Sequence, residues 1–248
     1  MSDSPNYSFY KHPRFSANHL AEYLCTNDAG QRARIMRAAK FPKKFPVIAY
    51  QRIMPHFRDF LHAGNDDCAY FDKIRARLEA DAKKEIGTTK SELLRCVKAI
   101  DAFIITYSNG KLANHKFSSG HADVAFKLSG VSINCRLNPP IIQTDKDGAL
   151  HSGGCVMFTA SGAQSRKNIE DRTKFVAAIV HWTLENVKNN IRPSPKLCLS
   201  FDVFGGAVVR APTAYSRLRD KMEASCLEIA SGWARIEPPD DYDGPAWR

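Results

Sequence analysis

The chain has 248 residues, 44% apolar, 25% charged and 10% aromatic, a composition that suits a folded soluble protein and excludes disordered, collagen-like and repeat-array chains. No apolar run reaches the roughly eighteen residues of a membrane span, and the polar start at residues 1–8 lacks the apolar stretch of a secretory signal, so a cytoplasmic location without a membrane partner is expected. The net charge of +10 favours a polyanionic partner, and the excess lies early: residues 1–119 carry 20 basic and 12 acidic side chains, residues 120–248 carry 16 and 14.

Taken in chain order, Ser16 is placed to cap a short helix over 17–24, and Asn27 or Asp28 to cap a second over 29–39 that ends at Phe41-Pro42. An extended piece is expected over 46–50, then a helix from Pro55 to Leu61 closed by Gly64. Phe71, Ile74 and Leu78 recur at helical spacing within 67–84, and Thr89-Lys90-Ser91-Glu92 reads as a capping box opening a helix with Leu93, Val97, Ile100, Ile104 and Tyr107 on one face.

After Ser108-Asn109-Gly110 the period falls to two. Val124, Phe126 and Leu128, a Ser-Gly turn, and Val131, Ile133 and Cys135 predict a β-hairpin. Asn138-Pro139-Pro140 predicts an extended kink, 145–148 a turn, and 154–160 a buried third strand. A helix over 168–190, with Val176, Ile179, Val180, Thr183 and Val187 on one side, leads to a strand over 197–203 that Gly205-Gly206 folds back through 207–210. Tyr215, Leu218, Met222, Ile229 and Trp233 mark a last amphipathic helix. The expected fold is α+β: a helical, basic N-terminal region over 1–107, a core over 108–236 built on a small mixed sheet flanked by helices, against which the 89–107 helix packs, and an acidic, Pro-rich tail over 237–248 forming a strap or a loose end.

From residue 89 the order is helix, strand, strand, strand, helix, strand. This order resembles the core of the restriction-endonuclease-like superfamily, the PD-(D/E)XK nucleases, over roughly residues 89–204. In that family carboxylates on neighbouring strands hold Mg²⁺ and a lysine helps to position the attacking water. The resemblance would put the proline-aspartate at Asn138-Pro139-Pro140 and the acid-x-lysine on Gly154-Cys155-Val156-Met157-Phe158, and neither signature is present. It therefore implies a degenerate nuclease-like core. The segments FSANHLAEYL and CLSFDVFGGAVVRAP are also similar to uncharacterised bacterial proteins of comparable length, a similarity that brings no activity with it.

The strongest charge feature is the acid-free stretch between Asp28 and Asp59, with Arg32, Arg34, Arg37, Lys40, Lys43, Lys44, Arg52 and Arg58. If these converge they can neutralise phosphates; otherwise they form a solvated face, or dock an acidic partner or the chain's own tail around Asp240, Asp241 and Asp243. Gln31 and the arginines suit backbone contacts better than base reading. Phe41, Phe45 and Tyr50 are the rings near enough to serve as stacking platforms.

For catalysis, Asp123 and Lys127 share a strand face, with His121 alongside and Asp145, Asp147 or Glu170 as possible second acids. The bland reading is surface alternation on a half-exposed hairpin. The seven scattered cysteines form no C-x-x-C and the eight histidines no H-x-x-x-H, so the cysteines are expected to be small core residues and no metal site is expected. Gly153-Gly154 and Gly205-Gly206 read as turns, not as phosphate loops.

Nucleic-acid association without chemistry or cofactor, inside a larger bacterial assembly, is the leading expectation. The alternatives are a Mg²⁺-dependent nuclease with relocated carboxylates, and a protein-interaction subunit or effector.

Overall fold

The structure, a computed structural model, describes residues 6–44, 50–64, 67–109, 112, 115–158, 166–187 and 191–247. Its elements run β1 (Arg14–Ser16), α1 (Ala17–Cys25), α2 (Ala29–Lys40), α3 (Met54–Ala63), α4 (Tyr70–Lys84), α5 (Gly87–Ser108), β2 (Ala122–Leu128), β3 (Val131–Leu137), β4 (Pro140–Thr144), β5 (Leu150–Phe158), α6 (Arg166–Asn186), β6 (Arg192–Asp202), β7 (Ala207–Arg210) and α7 (Ser216–Gly232), which a 3₁₀ turn extends to Arg235. The fold is mixed α and β. The extended piece expected over 46–50 falls almost wholly outside the described residues.

Local chemistry sets the first boundaries. The Ser16 hydroxyl accepts from the His19 amide (3.1 Å) and the Asp28 carboxylate from the Gln31 amide (2.6 Å), each answering an orphan donor of the helix it opens. Gly64, at φ 60°, ends α3 in the left-handed conformation that favours glycine. The capping box does not form. Helix α5 starts earlier, at Gly87, without a side-chain cap, and the Ser91 hydroxyl turns back to the Gly87 carbonyl (3.1 Å).

Instead of one small sheet, the described residues form two. The first has the order β1-β3-β2, with β2 and β3 joined through Ser129 and Gly130, both at positive φ as a tight two-residue hairpin turn requires. The second has the order β4-β5-β6-β7, with β5 and β6 parallel and the outer pairs antiparallel. The kink at Asn138-Pro139 is the joint between them: the Asn138 amide donates to the Cys155 carbonyl (2.7 Å) and the Cys155 amide to the Pro139 carbonyl (2.9 Å). Beyond it the chain forms β4, a strand that the prolines hide in the sequence. An edge strand tolerates proline at its first residue, where no ladder bond is lost.

Gly153 is a correction of another kind. It lies inside β5, not in a turn, and a Cβ there would stand 2.2 Å from the Leu197 carbonyl oxygen. The glycine lets β6 approach. Gly206 does occupy a turn, at φ 63°.

Two apolar clusters organise the elements. One joins Phe15, Leu20, Leu24 and Met36 to Ile133, Val176, Met222 and Trp233; the other joins Phe57, Phe71 and Phe103 to Ile141, Leu199 and Phe201. The helical N-terminal region thus divides: α1 and α2 share a core with the first sheet, α6 and α7, while α3 to α5 pack on the second sheet. Helix α6 is buried on nearly every side, Ala177, Ala178 and Trp182 included, where one apolar stripe was expected.

The acidic tail is a strap. Asp243 accepts from the backbone amides of Asn6 (2.8 Å) and Tyr7 (3.1 Å), Asp241 accepts from the Tyr7 hydroxyl (2.9 Å), and Tyr242 and Trp247 pack edge-on against Phe41. Among the described residues no helix is long and apolar enough to cross a membrane.

Candidate nucleic-acid interface

Helix α2 buries Ile35, Met36 and Ala39 and leaves Arg34, Arg37 and Ala38 on its outer face. Directly after it, Lys43 is pinned by a bridge to Tyr7 and by the Lys44 amide, which donates to the Asn6 carbonyl (2.8 Å). The result is a groove of about 560 Å³ rimmed by Arg34, Arg37 and Lys43, with Phe41 and Pro42 among its apolar lining. The charges that meet there are not cancelled in place. Arg34 donates to the Gln31 side-chain oxygen (2.6 Å) and Arg37 to the Glu237 backbone carbonyl (3.1 Å), both neutral acceptors. Lys43 lies 3.8 Å from Asp241, but both side chains are about two-thirds exposed (60% and 67%), a setting in which an ion pair contributes little. The Tyr7 hydroxyl, and after it Asp241, hold the Lys43 pKa above its ordinary value.

His19 also borders the groove. Burial, with help from Arg172 and against the pull of Glu22, lowers its pKa, so at neutral pH it is not a further cation.

Other members of the acid-free stretch serve the fold. Arg32 donates to the Thr26 carbonyl (2.9 Å), pairs with Glu228 (3.1 Å) and lies over the Tyr23 ring, tying α2 to α7. Lys40 is 3% exposed, and its ammonium donates to the carbonyls of Trp233 (2.9 Å), Ala234 (3.4 Å) and Ile236 (2.8 Å) between the rings of Phe9, Phe41 and Trp247. It closes the carbonyl end of the 3₁₀ turn and is not a surface cation. Arg52 stands apart in a second cleft, between α3 and α4, with His56, Lys73, Arg77 and Asp81. Arg58 pairs with Asp59 at 3.5 Å, and Lys44 is exposed beside Lys43. Stacking finds less support than phosphate contact. Phe41 is buried, Tyr50 packs edge-on against Phe204, and Phe45 lies outside the described residues.

The catalytic candidates do not share a site. Asp123 and Lys127 sit on the exposed face of β2, where Asp123 is 3.8 Å from His121 and 4.0 Å from Arg136. Asp145 belongs to the β4–β5 turn of the other sheet, accepting from the amides of Asp147 and Ala149 (both 2.9 Å) and from His151 (2.8 Å), whose bond is the chief reason its pKa is lowered. Among the described residues no three His, Cys, Asp or Glu side chains gather as metal ligands.

The two segments that a nuclease-like core would arm do meet. Asn138 and the pair Val156 and Met157 line one cleft of about 310 Å³, together with Asn18, Tyr50, Gln51 and Asn134. Amides stand where carboxylates would be needed to hold a hard cation. At Asn18 begins a buried polar cluster that the sequence does not announce. Arg172, on α6 and 3% exposed, donates through Nε (3.1 Å) and Nη2 (2.7 Å) to Asn18 Oδ1 and pairs with Glu22 (3.1 Å). Asp202, 1% exposed at the end of β6, also acts electrostatically on Arg172 and caps its own turn through the Phe204 amide (3.3 Å). A guanidinium therefore already answers both the half-buried Glu22 and the buried Asp202. No sequence spacing could reveal this, since Arg172 and Asn18 lie 154 positions apart.

Comparison of the sequence with models of protein families and with curated proteins gives no match.

Proposed function

We propose that this protein associates with nucleic acid in the cytoplasm, gripping phosphates through Arg34, Arg37, Lys43 and Lys44, as a binding component of a larger bacterial assembly and without chemistry of its own. The observation that carries the reading is the convergence of three cations on one groove beside α2, two of them, Arg34 and Arg37, bonded only to neutral acceptors. Phosphate contact needs that convergence, and composition alone does not supply it. On α2 the Gln31 side chain is already engaged by Glu22 and Arg34, which favours backbone contact by the arginines over sequence recognition. The separation of Asp123 from Asp145, each with its own partners, favours binding over hydrolysis.

The test is fluorescence anisotropy with labelled single- and double-stranded DNA and RNA across a salt series. Four phosphate contacts on a duplex give a log–log slope near −3.6, or roughly a hundredfold loss of affinity between 50 and 200 mM salt. Reversal of Arg34, Arg37, Lys43 and Lys44 to glutamate should abolish binding. Unchanged affinity in that variant, or no binding by the parent at any salt, would overturn the proposal.

A further inference from the structure

The amide-lined cleft at the joint of the two sheets has the size of a small-ligand pocket, about 310 Å³. Part of its hydrogen-bonding capacity is unspent. Asn138 Oδ1 is buried with no donor in reach; such an atom weakens a fold unless something supplies the missing hydrogen. Asn18 complements it. Because its Oδ1 takes both Arg172 donors, the orientation of the amide is fixed, and its NH₂ remains available to give a hydrogen bond.

The lining also includes Tyr50 and Gln51, while Val156 and Met157 supply apolar surface and a polarisable sulfur suited to the edge of a flat ring. Arg136 is the one cation among the lining residues, and its guanidinium is already engaged by His121 (3.0 Å) and Asp123 (4.0 Å). The residues lining the pocket therefore carry an unpartnered acceptor on Asn138, an amide donor on Asn18 and apolar side chains, without free charge. That combination suits a neutral planar heterocycle with donor and acceptor on one edge and suits a phosphate poorly.

We infer that the cleft at the joint of the two sheets receives an unpaired nucleobase of a single-stranded nucleic acid, held by Asn18 and Asn138. The inference rests on the phosphate-gripping reading for its polymer, and one geometric fact connects the two. Asn18 lines the cleft and His19 borders the basic groove, so consecutive residues in the first turn of α1 belong to the two sites. The proposed strand runs from Arg34, Arg37 and Lys43 past this turn of α1 to place a base in the cleft.

The experiment compares a labelled single-stranded oligonucleotide with the same backbone carrying abasic positions, both bound to the full chain, and adds a titration with free nucleosides followed by NMR of the side-chain amides. One bidentate base contact makes the base-bearing strand bind about tenfold more tightly than the abasic one. Asn138→Leu should erase that difference, leave the salt slope intact and raise the melting temperature, since it removes the orphaned acceptor. Gln51→Ala, at an exposed position, should reduce the difference without any risk to folding. Equal affinities for the two strands would overturn the base pocket and leave the phosphate reading standing. If neither strand binds, the phosphate reading falls; the nucleoside titration then decides the cleft alone, saturable shifts of the Asn18 and Asn138 amides supporting it and flat spectra refuting it.

Discussion

Lys40 separates the two jobs a lysine in a basic stretch can do. By sequence it is one of eight cations between Asp28 and Asp59, and by structure it is a buried clasp on three backbone carbonyls. Lys40→Met keeps most of the aliphatic stem and its packing between Phe9, Phe41 and Trp247, so the loss is polar. Hydrogen bonds from a charged donor contribute roughly 1.5–3 kcal/mol each. Counting only the two shorter contacts, and setting against them the ammonium that no longer has to be desolvated, leaves about 2–3 kcal/mol of destabilisation. In a chain of this length that is a melting temperature lowered by roughly 5–10 °C. The strap that follows Ile236 should also loosen, visible as faster proteolysis over 237–247. Nucleic-acid affinity, measured well below the melting temperature, should keep the parent's salt slope, in contrast to Arg37→Glu. A Lys40→Met variant that melts like the parent but loses as much affinity as Arg37→Glu would refute the assignment.

Two further outcomes are expected. Gly153→Ala puts a Cβ against the backbone of Leu197, which cannot swing aside as a side chain would; the parallel β5–β6 pair should be disrupted at a cost of about 3 kcal/mol or more, read as a lower denaturation midpoint, and a midpoint equal to the parent's would show that β6 does not run there. Stability should also fall between pH 7.5 and 5. His19, His115 and His181 each have a pKa lowered from 6.5, chiefly by burial, so on acidification the unfolded chain takes up protons before the folded one, and stability is lost as the pH drops through 6.5 toward the folded values. Asp145 and Asp243 have pKa values lowered below 3.8, so their contribution is kept above that value and lost only at lower pH. Urea midpoints that are flat from pH 7.5 to 5 would contradict the histidine assignment.

Features governed by neighbours in sequence were legible, and features governed by distant contacts were not. Ser16, Asp28 and Gly64 act within one helical turn of themselves, and each does what its type and position imply. The alternation of β2 and β3 was plain because one face of that hairpin meets solvent. Strand β1 has three residues, too few for a period, and owes its place to Phe15 lying beside Ile133 in a parallel pair. Strand β4 was masked by Pro139 and Pro140, whose ordinary reading is a break; only an edge position makes a strand compatible with them. The capping box failed in the opposite sense, as a correct local motif overruled by a helix that begins at Gly87.

The same division explains why the charge excess was visible and its use was not. A sequence gives the number of cations between two acids, whereas binding depends on which of them lack an acceptor in the fold. Arg32 lies two residues from Arg34 and Lys40 three residues from Arg37 on the same helix, yet Arg32 is paired with Glu228 of α7 and Lys40 is buried on the carbonyls of the 3₁₀ turn, while Arg34 and Arg37 reach only neutral acceptors. Helical phase decides this: Arg34 and Arg37 flank the outer face with Ala38, while Lys40 follows Ala39 toward the 3₁₀ turn that ends α7. The acids of the strap enter the same balance, because Asp241 approaches Lys43 without burying it. A polyanion reaching this groove therefore meets Arg34 and Arg37 bonded only to neutral acceptors, and it competes with Asp241, and at longer range Asp243, for the third cation.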